Sequence, residues 1–184
     1  APVTIAATFT AEPVAPYVAW WARGLGLRTE LEFAPLGQVH QQLLAPSSAL
    51  ARASAAAVLV RCEDWLITQH GGPADPAALE AGVTTFVAAC ERWAAGSAPL
   101  LVVACPSSPE TSSQPAAAAL LHAAERVLAS ALRELPGVTF VPADDLLARC
   151  GNAAWSDRHA DAVAAVPYTP VMWAAIGTAL ARWL

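Results

Sequence analysis

Five short apolar runs are separated by longer segments whose apolar positions recur at helical spacing, and this alternation restricts the fold more than any other feature of the chain. The runs are 3–7 (VTIAA), 31–34 (LEFA), 57–61 (AVLVR), 100–104 (LLVVA) and 138–141 (VTFV). Between the first two, Val14, Tyr17, Val18, Trp21 and Leu25 keep to one helical face over 14–25, and Gly24 and Gly26 supply a stop. The spacing predicts long helices over 77–95 and 116–135, short ones over 38–44 and 143–149, and a closing helix over 170–183. A Pro/Gly-rich segment at 71–76 and a Pro/Ser-rich one at 106–114 read as loops.

Strands that alternate with helices form βαβ units, whose crossovers are right-handed and place the strands parallel. Continuous apolar strands fit a sheet covered on both faces. The expectation is a three-layer α/β/α sandwich with a parallel five-stranded sheet in the order 2-1-3-4-5. No internal repeat and no linker divides the chain, so residues 1–184 read as one domain. The opening at Ala1-Pro2, without Met, fits a domain cut from a larger multidomain protein.

Composition narrows the function classes. With 56% hydrophobic and 14% charged residues, the chain has too much to bury to stay disordered. Every basic residue is Arg, which reads as a coding bias; the net charge of −5 and the lack of any Arg cluster argue against a nucleic-acid partner. No apolar run is long enough to cross a bilayer, and no basic segment leads into an apolar one at the N-terminus, so no membrane partner is expected. Cys62, Cys90, Cys105 and Cys150 form no CxxC pair and have no His at zinc-ligand spacing. They read as small buried hydrophobes in a reducing, cytoplasmic setting, with no metal site.

In an open parallel sheet, ligands bind beyond the carboxyl ends of the strands, at the switch point of the strand order. That rule selects Thr8-Phe9-Thr10-Ala11-Glu12, Cys62-Glu63-Asp64-Trp65 and Cys105-Pro106-Ser107-Ser108, to which the polar segment Trp155-Ser156-Asp157-Arg158-His159 adds itself before the last helix. Together these loops offer hydroxyls, carboxylates and an imidazole. Thr10 and Glu12 also suit a helix start, and Glu63-Asp64 a turn or cap. Asp157 and His159 fit either a general base with its orienting carboxylate or a solvated loop pair. His40, His70 and His122 read as fillers, and Trp20, Trp21, Trp93 and Trp173 as packing residues. Neither GxGxxG, GxxxxGK[ST] nor GxSxG occurs, which removes the main support for nucleotide binding and for a conventional α/β-hydrolase.

Four stretches carry a family resemblance: AATFTAEP at 6–13, APLGQVHQQLLAPSSALAR at 34–52, VLVRCEDW at 58–65 and VPYTPVMWAAIGTALAR at 166–182. In combination they resemble an SGNH-hydrolase-like domain of the type associated with FkbH-like proteins and with polyketide and nonribosomal peptide assembly lines. The resemblance runs over nearly the whole chain and implies a flavodoxin-like sandwich. Active members of that superfamily use a Ser after the first strand, oxyanion donors after later strands and a DxxH pair before the last helix. Here Thr8 and Thr10 occupy the turn of that Ser, Asp64 stands nearest the oxyanion Asn, Asp157 and His159 are spaced DxH, and Ala165 stands where related sequences often carry His.

The resemblance therefore implies Thr8, Thr10, Asp157 and His159 as catalytic candidates, with Glu63, Asp64, Trp65, Ser107 and Tyr168 as substrate contacts. It implies an acyl-processing domain, transferase or hydrolase, with no cofactor of its own. Its substrate would be an intermediate tethered through a phosphopantetheine arm to an acyl or peptidyl carrier protein, and neighbouring biosynthetic domains would be further partners. The alternative implied is a catalytically degenerate domain that serves the assembly line as a docking or structural module.

Overall fold

The computed structural model describes residues 2–67, 72–96 and 98–184. His70 lies outside them. Strands β1 (Pro2–Ala7), β2 (Glu30–Phe33), β3 (Ala55–Val60), β4 (Leu100–Ala104) and β5 (Val138–Val141) form one sheet in the order β2-β1-β3-β4-β5, with every pairing parallel. The register sets Ala7 beside Leu59 and Val60 beside Ala104, so β1, β3 and β4 end close to one another at the carboxyl edge.

Side chains alternate across this sheet with period two, and each face builds its own core. Val58, Val60, Leu100 and Val102 point to a layer made by α2 (Val39–Leu44), α5 (Pro76–Ala94) and α7 (Pro115–Arg133). Ala57, Leu59, Leu101 and Val103 point the other way, to α1 (Ala15–Gly24), α8 (Ala143–Cys150) and α10 (Pro170–Trp183). The three-layer sandwich expected from the pattern is the fold observed. All four cysteines are buried and unpaired.

Local chemistry sets the helix starts. Asp75 accepts hydrogen bonds from the Ala77 and Ala78 N–H groups at 3.0 Å each, and Pro76 opens α5 where its missing N–H costs nothing. In α10, Met172, Trp173, Ile176 and Leu180 are buried together, and Gly177 lets α1 approach: a Cβ there would lie 2.6 Å from the Tyr17 Cβ. Trp20 departs from the expected packing role and is 63% exposed, because it lies on the solvent side of α1.

Four short helices escape the hydrophobic pattern: α3 (Ala49–Arg52), α4 (Glu63–Leu66), α6 (Pro109–Ser112) and α9 (Arg158–Ala164). Each runs one or two turns, too few for a periodic signal. Three of them are held by side-chain caps, in which Ser48 accepts from the Ala51 N–H, Ser108 from the Thr111 N–H and Asp157 from the Ala160 N–H. Among the described residues, no helix is long and apolar enough to cross a membrane.

Candidate functional site

The strand order reverses between β1 and β3, and the residues leaving those two strands meet there. Thr8 N–H donates to the Leu59 carbonyl at 3.1 Å, which continues the ladder one residue beyond β1. Its hydroxyl accepts from Arg61 N–H at 3.0 Å and donates to Asp64 Oδ2 at 2.6 Å. Asp64 lies on the single turn of α4, three residues past Arg61, so its carboxylate folds back over the strand end.

Arg61 is the centre of the site. Its guanidinium donates from Nε and Nη2 to Asp64 Oδ1 at 2.8 and 2.6 Å, and from Nη1 to Asp161 Oδ2 at 2.7 Å. Asp161 comes from α9, so one cation ties the β3 end to the segment before the closing helix. The Arg61 residue is 6% exposed and rests 6.0 Å from the Phe9 ring centroid. Burial opposes its charge, but the Asp64 and Asp161 carboxylates outweigh that and hold it protonated at every ordinary pH. Burial raises the Asp64 carboxyl above the usual carboxylate range, against the pull of Arg61 and the Thr8 hydroxyl.

A second carboxylate braces the neighbouring loop. Glu63, 8% exposed, accepts from the Ser108 N–H, from the Ser108 hydroxyl at 2.7 Å and from the Thr111 hydroxyl. Between these two networks opens a cavity of about 520 Å³, lined by Arg61, Asp64, Gln114, Ser156, Arg158 and Asp161 among others. Its wall offers hydrogen bonds more than apolar contact. Among the described residues, no histidine lines it. Among the described residues, no group of three or more His, Cys, Asp or Glu side chains is placed to hold a metal ion.

The nine residues singled out from the sequence are thus distributed unevenly. Thr8, Glu63 and Asp64 come together at the strand ends. Thr10 lies farther along, donating from its N–H to the Ala165 carbonyl and from its hydroxyl to the Ala164 carbonyl, both at 2.8 Å. Asp157 spends its carboxylate on the α9 cap, accepting from Ala160 N–H at 3.0 Å. His159 is exposed at the second position of α9, and among the described residues it makes no hydrogen bond, so Asp157 and His159 do not form a dyad. Trp65 packs against Phe86 and His40, with ring centroids 5.5 and 5.6 Å away. Tyr168 is 3% exposed and donates to the Pro106 carbonyl at 2.8 Å. The Ser107 hydroxyl is buried and finds no partner among the described residues. None of these last three lines the cavity.

Arg61 and Asp161 are the functional candidates that sequence reasoning passed over. The available signal was a charged residue closing an apolar strand run, since a buried guanidinium there needs a carboxylate partner.

The fold and site define a flavodoxin-like α/β/α sandwich with a polar cavity at its switch point. Among solved structures, a similar one is the N-terminal part of the protein BF1531 from Bacteroides fragilis, which contains a phosphatase domain and is complexed with Mg. The two superpose with a TM-score of 0.77 at 13% sequence identity, over 96% of this chain and 49% of that one. This likeness is one of fold, and the chain spans about half the length of that structure. No protein-family model matches the chain, and no curated protein matches it.

Proposed function

We propose that this chain is an SGNH-like domain of a biosynthetic assembly line that binds a carrier-tethered intermediate at its strand-end cavity without hydrolysing it. One observation carries the reading: the groups that acyl transfer would need are already bonded to one another. The Thr8 hydroxyl is held between Arg61 N–H and Asp64, the Asp64 carboxylate is shared with the Arg61 guanidinium, and the histidine nearest in sequence to Asp161 is exposed. A nucleophile needs a free base within hydrogen-bond reach and donors aimed at the developing oxyanion. Asp64 offers negative charge where that oxyanion would form.

The cavity wall suits a chain of amides and hydroxyls such as a phosphopantetheine arm, with Gln114, Ser156 and Arg158 as donors. The solved structure of similar fold contains a phosphatase domain in a chain twice as long, which supports a place for this fold beside a partner domain. The test is calorimetric titration with acyl-loaded carrier protein and with apo carrier that lacks the phosphopantetheine arm. Loaded carrier should bind the more tightly, and the double variant Gln114→Ala with Arg158→Ala should weaken only that binding. Equal affinity for both carriers, unmoved by the variant, would remove the cavity from the account.

A second reading, acyl processing, is favoured by the 2.6 Å contact between Thr8 and Asp64. In it the Thr8 proton passes to Asp64 while Oγ1 attacks the thioester carbonyl. The C–S bond breaks, an ester forms, and the leaving thiolate takes the proton back from Asp64. Intact-protein mass spectrometry separates the two readings.

A further inference from the structure

Helices α1 and α10 contain no carboxylate, although the whole chain carries a net charge of −5. Their outer face leaves large apolar side chains in water: Trp20 is 63% exposed, Leu25 57% and Val171 39%. Two hollows run along it. One, of about 470 Å³, is lined by Tyr17, Arg149, Val171, Ala174 and Thr178, the other, of about 330 Å³, by Trp20, Trp21, Arg23 and Leu25. Trp21 joins them, since its indole N–H donates to the Thr178 hydroxyl at 3.1 Å and it follows Tyr17 by one turn of α1. The charged residues in these walls are Arg23 and Arg149.

We propose that the α1–α10 face docks an amphipathic helix of a partner protein, apolar along one side and flanked by Asp or Glu. Small side chains at Ala174 and Ala175 floor the larger hollow, so a ridge of leucines fits between the helices as a helix fits a groove. Trp20 and Tyr17 supply the aromatic anchors that dominate such contacts. Arg23 and Arg149 then meet the acidic flank, and their sign selects the partner. Charge and shape oppose two other occupants. A second copy docked through this face would bring arginines against arginines, and an anionic membrane would meet a concave wall on a chain of net negative charge. The face lies on different elements from the strand-end cavity, and its test does not depend on what that cavity binds.

The experiment uses the full chain and a fluorescein-labelled peptide of Leu, Ala and Glu, about 18 residues or roughly five turns long, with leucines along one face. Anisotropy should report saturable binding that weakens with salt. Trp20→Ser should reduce affinity at least about tenfold while leaving the thermal melt unchanged, because that side chain is mostly in water. The double variant Arg23→Glu with Arg149→Glu should lose the Glu peptide and gain a Lys version of it, which a merely structural role for those residues does not produce. Absence of binding, or equal binding of the Glu and Lys peptides by the unmodified chain, overturns the proposal. So does self-association abolished by Trp20→Ser, or capture by anionic phosphatidylglycerol vesicles, since each hands the face to another occupant.

Discussion

Arg61 Nη1 lies 2.7 Å from Asp161 Oδ2, joining residues 100 positions apart in the chain. The same guanidinium also holds Asp64, so one buried cation serves two carboxylates that are 19% and 15% exposed at the side chain. Arg61→Met leaves both carboxylates facing each other without it. Breaking a buried pair from one side costs about 3–5 kcal/mol, and urea unfolding should show a loss in that range. Asp161→Asn keeps the shape and leaves Arg61 one partner, so it should cost less, about 1–3 kcal/mol.

Gly177→Ala sets two effects against each other. Alanine favours the helix by about 1 kcal/mol over glycine. The added Cβ, however, would sit 2.6 Å from the Tyr17 Cβ, an atom fixed to the backbone of α1 and unable to swing away. Overpacking costs about 1–3 kcal/mol, so the net effect should be destabilising, read as a lower Tm by calorimetry.

Ala165 ends α9 with φ 51° and ψ 38°, the one non-glycine among the described residues with positive φ. The two hydrogen bonds from Thr10 hold the carbonyls on either side of that turn. Left-handed backbone costs a residue with a Cβ about 1–2 kcal/mol, and glycine has no such penalty though it loses more chain entropy. Ala165→Gly should therefore be neutral to stabilising by about 1 kcal/mol, which the same unfolding titration measures.

Burial, aided by Glu91, pushes the Cys90 thiol up to about 12, and burial raises Cys62 and Cys105 as well. In the unfolded chain a thiol titrates near 8.5, so above roughly that pH the unfolded state loses protons that the folded state keeps. The stability these thiols contribute is whole below that value and falls as pH climbs toward the folded one. Each should lower the unfolding free energy by about 1.4 kcal/mol per pH unit in that window. Urea titrations at about pH 8 and about pH 10 check this, and Cys90→Ala should make the decline shallower by one thiol.

The sheet was legible from the sequence because β3 and β4 are apolar without interruption, β1 is broken only by Thr4, and each long helix repeats its buried positions. Val58 and Leu59 point to opposite cores, yet both read simply as interior. The site was legible only in part. Position after a strand selects Thr8, Glu63 and Asp64, and these do converge. Arg61 reads as the last letter of a strand, and nothing local in the sequence pairs it with Asp161. Asp157 was ambiguous for a chemical reason: a carboxylate that orients an imidazole and one that caps a helix look alike until the N–H of Ala160 is seen to claim it. The short helices α4, α6 and α9 set these directions, and helices of one or two turns leave no periodic trace.

On the proposed function, the Thr8–Asp64–Arg61–Asp161 network makes a binding wall and not a catalytic one. Intact-protein mass spectrometry of the chain mixed with acyl-loaded carrier protein, following both species over time, tests it most directly. The carrier should keep its acyl group at the background rate, and the chain should gain no mass. Acyl loss from the carrier, or an acyl adduct on the chain, abolished by Thr8→Val, would contradict it and establish acyl chemistry at the strand ends.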